Sequence, residues 1–296
     1  MRNTFIKKLV EVAEINKNIV LIVGDLGYSG VGEFQEKFPD RFYNAGISEQ
    51  NMASMAAGLA SDGFHVFIYS IANFPTFRCA EQLRNDVGYH NLSVTVVAVG
   101  GGLSYGNLGY SHHAIQDLGL MRLFPEFDIL SPGDPMEVEM CMDYILNNPC
   151  PSYLRLKKAG EPNYNERVNL LIPGIWNQVS EAKSKKILLT TSGGLHIAYQ
   201  LKKLSNQFLG FGVYSCPIWG AKYKHLQQGQ IDSFEEIVTI EDHLLDCGFG
   251  SWIRESLTDS KSHVKIVNKA LSQNVIGKVG SEDYLLREGG MYFELD

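Results

Sequence analysis

Short apolar runs alternate with helix-like segments along most of this chain. Five short, mainly apolar runs, at 19–23, 65–69, 94–99, 127–130 and 152–156, are typical of buried strands. Apolar residues at three- and four-residue spacing predict a first helix over 5–15 and further helices at 48–61, 73–89, 116–124 and 134–146. This alternation predicts a mostly parallel sheet covered by helices on both faces.

A second strand and helix series follows a less regular stretch at 161–185. Pro162, Pro173 and Gly174 interrupt that stretch, which predicts a linker. Strands are then predicted at 186–190, 211–214, 237–240 and 263–267, with helices at 194–204 and 249–257 and a short last helix after Ser281. The sequence therefore predicts an α/β protein of two domains, 1–160 and 186–296, each with a mostly parallel sheet flanked by helices.

Composition narrows the possible functions. The 296 residues are 45% hydrophobic and 20% charged, with a net charge of −7 and no basic run, so nucleic acid is not an expected partner. No apolar run has membrane-spanning length, and the start lacks the long apolar core of a secretory signal. Five cysteines without a CxxC pair fit a reducing cytoplasm and predict neither a disulfide framework nor a metal site.

The segment from Tyr43 to Ser70 is the most informative part of the chain. A short extended piece ends at Gly46, Ser48 can cap the following helix, and Glu49 falls in its first turn, where a carboxylate is favoured. The rest of that helix is nearly free of charge, so the Glu49 carboxyl is expected to be partly buried and able to share a proton. Taken alone, the pattern favours an ordinary structural acid over a functional one, since most perturbed acids are structural.

The residues around this acid resemble a known family. Ala45-Gly-Ile-Ser-Glu49-Gln50 closely resembles the pyrimidine-binding module of transketolases and the related deoxyxylulose-phosphate synthases. The resemblance implies that Glu49 is a catalytic residue that hydrogen-bonds the aminopyrimidine ring of thiamine diphosphate and favours its imino tautomer. It also implies that Ile47 and Gln50 belong to the cofactor-binding residues.

The second half carries the resemblance further. Thr191-Ser-Gly-Gly194 is similar to a strand-to-helix turn of the transketolase C-terminal domain. Val238-Thr-Ile-Glu-Asp-His243, followed by Gly248-Phe-Gly250, resembles another segment of that domain. The resemblance therefore covers nearly the whole chain and implies the fold of a pyrimidine-binding module followed by a C-terminal domain.

Phe74 and Phe77 are three residues apart on a predicted helix. Such a pair is usually buried in a hydrophobic core. In transketolases, the matching aromatic pair surrounds the aminopyrimidine ring, so the resemblance implies that both residues bind the cofactor. Ala80 stands where the family often has a third aromatic residue. The pocket wall is therefore expected to be thinner at this position or to be filled by Arg78.

A glycine-rich loop leads to two adjacent histidines. Residues 100–109 hold five glycines without the spacing of a nucleotide-binding motif, which indicates either a mobile segment near a ligand or tight turns. Two adjacent histidines at 112 and 113 are compatible with ordinary loop residues. Their segment resembles the transketolase "DGPTHQP" motif, which implies that His112 faces the substrate as a catalytic residue and that His113, in place of Gln, also contacts substrate.

Departures from the family pattern concern the sugar donor. Leu108 stands where the family has an Asp that recognises the ketose. The family's phosphate-binding His would fall near Gly100, and this chain has no His there. A basic partner of that His corresponds to Lys158, with Arg155 also in reach, so both are predicted to bind substrate. We expect a specialised donor, because arginine and lysine bind phosphate with different geometry.

The diphosphate of this cofactor is normally bound through Mg²⁺ by a Gly-Asp-Gly…Asn signature. Gly24-Asp25-Leu26 and Gly133-Asp134-Pro135 are the nearest matches, and neither has the third glycine. The resemblance therefore implies the second half of a split transketolase, whose separate partner chain holds the diphosphate and Mg²⁺. We expect an α2β2 heteromer with small sugar substrates and an active site at the interface.

Three functions remain open at this point. The leading one is a subunit of a transketolase that moves a two-carbon ketol unit from a ketose to an aldose. The same modules occur in the beta subunits of 2-oxoacid dehydrogenases or decarboxylases and in deoxyxylulose-phosphate synthases. A non-catalytic assembly subunit with the same fold is a third possibility, since fold alone does not fix function.

Overall fold

In the part of the chain that the structure describes, the strands form two sheets, one of seven strands and one of five. The structure, a computed structural model, describes residues 1–26, 30–166, 170–257 and 262–292. The strands in these ranges are β1 (Ile19–Val23), β2 (Phe42–Asn44), β3 (His65–Ile71), β4 (Val94–Val99), β5 (Asp128–Leu130), β6 (Ser152–Leu156), β7 (Asn177–Ser180), β8 (Lys186–Thr190), β9 (Gly212–Ser215), β10 (Ile218–Trp219), β11 (Glu236–Leu244) and β12 (Lys265–Leu271).

Helices connect most of the strands. The α-helices in the described ranges are α1 (Arg2–Ile15), α2 (Gly32–Lys37), α3 (Glu49–Ser61), α4 (Asn73–Phe77), α5 (Ala80–Gln82), α6 (Asp117–Met121), α7 (Pro135–Asn147), α8 (Gly194–Leu204), α9 (Gln227–Ile231), α10 (Phe249–Glu255) and α11 (Glu282–Glu288). Ser281 caps α11 by accepting a hydrogen bond from the Tyr284 backbone N–H, as predicted. None of these helices is long and apolar enough to cross a bilayer.

The seven-stranded sheet has the order β10-β5-β6-β4-β3-β1-β2 and is parallel except for β10. Every residue of β1 is buried, because helices cover both faces of the sheet. Leu21 packs on one face with Phe5 of α1, and Ile22 packs on the other with Met52 of α3. Since parallel strands end at the same edge, the loops after β1, β3 and β4 gather there, together with the start of α3.

The five-stranded sheet has the order β12-β11-β8-β9-β7, and β7 is its antiparallel edge strand. Leu188 and Val238 face a core shared with α8 and α11. Ile187 and Ile237 point to the opposite face and belong to a core that continues to the first sheet. Apolar packing therefore joins the two sheets.

The predicted fold class is confirmed: both sheets are mostly parallel and flanked by helices. One predicted helix, 73–89, is instead broken into α4, α5 and a π-helical turn at Leu83–Gly88. Thr76 Oγ1 donates a hydrogen bond to Ala72 O within this segment, and such side-chain bonds compete with the regular helical pattern.

The predicted linker at 161–185 differs from what the structure shows. Its last part forms β7 and pairs with β9, so it belongs to the second sheet. In the other direction, β10 comes from the second half of the chain and pairs with β5 at the edge of the first sheet. The chain thus crosses between the two sheets more than once, and the boundaries at 160 and 185 remain a prediction.

Candidate active site

Glu49 begins α3 at the edge of the first sheet where the parallel strands end. Its side chain is only 4% exposed, which confirms the expected burial. A methyl group built on Gly24, just after β1, would lie 3.6 Å from Glu49 Cγ and 3.4 Å from Ser70 Oγ. The carboxylate therefore lies against the ends of β1 and β3, where open α/β sheets commonly bind ligands. Ser48 is the N-cap residue of α3, but its side chain makes no capping hydrogen bond.

Arg78 is the direct partner of Glu49. The Arg78 Nη1 atom lies 2.9 Å from each carboxylate oxygen, and the guanidinium carbon lies 4.5 Å from the centre of the Phe74 ring. The Arg78 side chain is 50% exposed, so water reaches this ion pair from the arginine side. Burial and the nearby Glu49 carboxylate raise the pKa of the Cys79 thiol to about 12, which keeps it protonated. The site thus holds a buried negative charge behind a half-exposed positive one.

Phe74 and Phe77 belong to α4 and form part of the wall of an open depression. Phe77 is 45% exposed and Phe74 is half-buried, so neither is an enclosed core aromatic. The other residues that line the depression are Asn73, Arg78, Tyr110, Ser111 and Gln116. Aromatic rings beside a carboxylate suit a flat, nitrogen-containing heterocycle, since the rings can stack on it and the carboxylate can accept its N–H.

Ile47 and Gln50 flank Glu49 in the sequence. Ile47 is 76% exposed and Gln50 is also exposed, so the core uses neither side chain. Their positions at the start of α3 fit the predicted role beside a bound ring. That role remains a prediction for both residues.

His112 lies next to the aromatic wall. Its ring meets the Phe74 ring edge to face, with centroids 5.3 Å apart, and its Nδ1 atom is 3.0 Å from Ser111 Oγ. Burial and the neighbouring His113 lower the pKa of His112, so its imidazole is mainly neutral at pH 7. Through Phe74 and Arg78, the structure brings His112 into one cluster with Glu49.

His113 does not share this position. It is 1% exposed, and its Nε2 atom lies 3.1 Å from Gly106 O inside the loop. Asn73 Nδ2 donates hydrogen bonds of 3.0 Å to both Ser111 O and His113 O, which fixes the histidine loop against α4. The buried ring supports the loop, and its position does not fit the substrate contact predicted for His113.

Arg155 must be reassigned. Its side chain is fully buried at the end of β6, and its Nε and Nη1 atoms bond Asp117 Oδ2 at 2.9 Å and Asp242 Oδ1 at 2.6 Å. It also donates to Ser192 Oγ and Ala114 O. Because Asp242 belongs to β11, these bonds tie the two sheets together. A guanidinium enclosed in this way cannot contact a substrate, so the predicted role of Arg155 is corrected to a structural one.

Lys158 is exposed but lies in a different place from His112. Its Nζ atom is 5.5 Å from the centre of the Tyr105 ring, and it lines a separate cavity with Lys157, Tyr164 and His196. Leu108, which replaces the family Asp, is 56% exposed in the loop before His112. The exposed Lys158 remains a predicted phosphate ligand, at a distance from the aromatic depression.

The glycine loop is explained by close packing at two positions. A Cβ atom on Gly101 would lie 2.8 Å from Arg155 Nε, and one on Gly102 would lie 2.3 Å from Asp242 Oδ2. Gly102 also has a φ of 67°, which disfavours other residues. Close approach of the backbone to buried side chains therefore explains these two glycines, whereas the sequence indicated a mobile segment or tight turns.

Neither partial Gly-Asp motif offers a free metal ligand set. Asp134 caps α7 through the Glu137 N–H and also accepts hydrogen bonds from the backbone N–H groups of Tyr164 and Asn165. Asp25 accepts a hydrogen bond from Asn44 Nδ2 at 3.3 Å. In the described part of the chain, no group of three or more His, Cys, Asp or Glu side chains is placed to hold a metal ion.

Comparison with known proteins agrees with this geometry. Residues 1–162, more than half of the chain, match the family model described as "Transketolase, pyrimidine binding domain". The chain belongs to the transketolase family. It is 30% identical over 296 residues to the "Putative transketolase C-terminal section" of Methanocaldococcus jannaschii. The aligned region covers 98% of this chain and 92% of that protein.

Further relatives support the same family. The chain is 28% identical to one subunit of the apulose-4-phosphate transketolase of Phocaeicola vulgatus, over 90% of this chain and 86% of that protein. A solved structure titled "Split gene transketolase, inactive beta4 tetramer" is 27% identical, with a TM-score of 0.81 over 98% of this chain and 93% of that one. The 1-deoxy-D-xylulose-5-phosphate synthase of Clostridium perfringens is 28% identical over 98% of this chain, which spans only 47% of that protein.

Sequence reasoning missed two parts of the site. The sequence indicates Arg78 only as a possible filler of the pocket wall, whereas in the structure it contacts both Glu49 and Phe74. Asn73, which anchors the histidine loop, gave no signal beyond its place at the start of a predicted helix. The signal that could have identified Arg78 is its position. It directly follows the aromatic pair Phe74 and Phe77, and the buried acid Glu49 precedes all three in the sequence.

Proposed function

We propose that this chain is the pyrimidine-binding and C-terminal subunit of a two-chain transketolase that depends on thiamine diphosphate. The reaction is transfer of a two-carbon ketol unit from a ketose donor to an aldose acceptor. One observation carries the proposal: the buried Glu49 carboxylate, at the ends of parallel strands, pairs with Arg78, which lines an open depression together with Phe74 and Phe77. The depression has a volume of about 360 Å³.

Each residue of the cluster has a defined task in this reaction. Glu49 accepts a hydrogen bond from a pyrimidine nitrogen, and its negative charge favours a proton at that position. Phe74 and Phe77 hold the ring by stacking, with Ile47 and Gln50 at its rim. His112, neutral at pH 7, exchanges a hydrogen bond and a proton with a substrate hydroxyl or carbonyl. Bound thiamine diphosphate would supply the carbanion stabilisation that protein side chains lack.

The diphosphate and Mg²⁺ are held by a separate partner chain in this proposal, in an α2β2 assembly with the active site at the interface. Support comes from the names of two relatives, one of which is a single subunit of a transketolase and the other a C-terminal section. The split-gene structure is described as an inactive tetramer of beta chains, which is consistent with a need for the other chain. Asp134, in one of the partial Gly-Asp motifs, already uses its carboxylate to bind backbone N–H groups.

The donor is proposed to be a specialised sugar phosphate. Leu108 stands where the family has an Asp for the donor hydroxyl, and an exposed leucine cannot accept that hydrogen bond. Lys158 is exposed and offers an ammonium group to a phosphate. A relative of this chain is named for apulose 4-phosphate, which supports a sugar phosphate as the substrate class.

A second candidate is an enzyme like deoxyxylulose-phosphate synthase. The similarity to one such synthase over 98% of this chain favours keeping it. The two candidates differ in the donor, since a synthase of that type would start from a 2-oxoacid. Decarboxylation of pyruvate by the assembled complex would therefore replace the transketolase proposal with this one.

The proposal is tested by titrating thiamine diphosphate and Mg²⁺ and following near-UV circular dichroism. The samples are the chain alone, and the chain co-purified with a subunit that carries the Gly-Asp-Gly…Asn signature. We expect tight binding only in the pair, followed by turnover of ketose phosphates. Tight binding to this chain alone would contradict the split site, and an inactive pair that binds no cofactor would favour a non-catalytic assembly subunit.

A further inference from the structure

The position of Arg78 raises a question about access to Glu49. Both carboxylate oxygens lie 2.9 Å from the same arginine nitrogen, Nη1. The guanidinium also lies 4.5 Å over the Phe74 ring. Arg78 therefore uses both features, the acid and the aromatic face, that the proposed function assigns to the cofactor ring.

Guanidinium and a protonated aminopyrimidine have similar chemistry. Each is planar, carries N–H donors that suit a carboxylate, and stacks on an aromatic ring. Glu49 is 4% exposed, and its side chain packs beside Gly24, so the acid has little room to turn towards a second partner. Arg78 lines the open depression and Glu49 does not, so a ring that enters the depression meets Arg78 in front of the carboxylate.

Arg78 is the movable member of this pair. Its side chain is 50% exposed, and it follows Phe77, the last residue of α4. It can rotate into solvent without unfolding a helix or opening the core. The cation–π contact and the ion pair would both be lost on rotation, so leaving has a cost that any incoming ring has to offset.

We propose that Arg78 is an internal occupant of the pyrimidine position, which pairs with Glu49 until the cofactor ring displaces it. Arg78 thereby sets the affinity of the site for the ring. This inference rests on the proposed function, because it assumes that Glu49 binds an aminopyrimidine. Its benefit to the protein is that the buried carboxylate keeps a cationic partner when no ring is present.

The test uses the full-length chain and the hydroxymethyl aminopyrimidine that forms half of thiamine, a probe that needs no diphosphate site. Ring affinity is measured by calorimetry for the wild type, Arg78→Ala and Arg84→Ala. Arg84 is the matched control because its guanidinium is exposed and bonds only its neighbour Asn85 among the contacts described for it. We expect Arg78→Ala to bind the ring about tenfold more tightly, the gain from losing one charge-assisted competitor, and Arg84→Ala to match the wild type.

Glu49→Gln, placed in the Arg78→Ala background, should remove the gain, which shows that the ring binds at the acid. Equal or weaker ring binding by Arg78→Ala, or no ring binding by either protein, would overturn the inference. The proposed function fails separately, when the pair of chains binds no thiamine diphosphate. If the pair binds the cofactor while Arg78→Ala gives no gain, only the internal-occupant role is lost.

A second measurement follows Arg78 itself. In the wild type, the guanidinium N–H signal of Arg78 can be assigned in the NMR spectrum by its loss in Arg78→Ala. Saturation with the ring should move this signal towards that of a solvated arginine. An unchanged signal at saturation would mean that Arg78 stays on Glu49 when the ring binds, which contradicts displacement.

Discussion

Two arginines in this protein pair with carboxylates, and their surroundings give them different tasks. Arg155 is fully buried between Asp117 and Asp242 and connects the two sheets. Arg78 is half exposed in front of the buried Glu49, at the edge of an open depression. The ion pairs have the same chemistry, yet of these two only the second is open to water and faces a depression.

The difference teaches how exposure separates structure from function. A buried guanidinium that leaves its partners strands two charges in a medium of low dielectric, so it is fixed. A half-exposed guanidinium can replace its partner with water at a lower cost, although the buried carboxylate still loses its cation. For an arginine near a suspected active site, the exposed fraction therefore decides the role better than the identity of its partner.

Replacing Arg155 should have the largest effect. Arg155→Met leaves the buried Asp117 and Asp242 without their shared cation, and removing one partner of a buried pair typically costs about 3–5 kcal/mol. Arg78→Met leaves one buried carboxylate, Glu49, without its cation, but water reaches the pair from the arginine side, so we expect a smaller loss of about 1–3 kcal/mol. Urea unfolding of both variants measures the contrast. Equal losses of unfolding free energy in the two variants would contradict the assignment of a structural role to Arg155 alone.

Glu49→Gln tests the functional pair directly. Glutamine keeps the size of the side chain but has no negative charge to favour a proton on the ring nitrogen. We expect ketol transfer by the assembled pair of chains to fall by about 10²–10³-fold, the range for a lost acid–base group. Unchanged size-exclusion and circular dichroism profiles are the control for folding and assembly, and wild-type turnover would contradict the assignment.

Glu137 is a buried acid without an arginine partner among the contacts described for it. It accepts hydrogen bonds from Gly133 N and Ser215 Oγ. Burial, together with the Asp134 charge, raises its pKa from 4.5 to about 7. Between these values the folded protein holds a proton that the unfolded chain has released, so stability falls as pH rises from about 5 to 7, by at most about 3 kcal/mol.

Unfolding free energies at pH 5, 6 and 7 for the wild type and Glu137→Gln measure this effect. We expect the variant to lose that part of the pH dependence, because glutamine does not titrate. If the free energy of unfolding falls equally with pH in both proteins, other groups cause the pH dependence. Glu241 is one such group, because burial raises its pKa to about 8.

His112→Gln should give the smallest effect. Glutamine can still hydrogen-bond a substrate but cannot exchange a proton, so we expect kcat/KM to fall by about tenfold while cofactor affinity is unchanged. Because the pKa of His112 is lowered from the ordinary histidine value, wild-type kcat/KM is also expected to decline at acidic pH, once the imidazole gains a proton. A decline of the same shape in the variant would exclude His112 as its cause.

Much of the fold could be predicted from the sequence because its signals are local. β4, β6 and β8 match the predicted strands residue for residue, since short, mainly apolar runs specify buried strands. The first-turn acid on an apolar helix likewise indicated the burial of Glu49. By contrast, β7 and β10 are short edge strands whose partners lie far along the chain, so no local pattern marks them.

The sequence by itself determined the two-sheet α/β architecture, the family resemblance and the pairing of a buried acid with an aromatic helix. Only the tertiary structure decided that Arg155 connects the sheets, that His113 turns into its loop and that Arg78 covers Glu49. Local spacing fixes which face of an element a side chain occupies. Whether a charge is enclosed or open to water depends on elements that are distant in sequence, and here that enclosure separates structural residues from candidates for binding and catalysis.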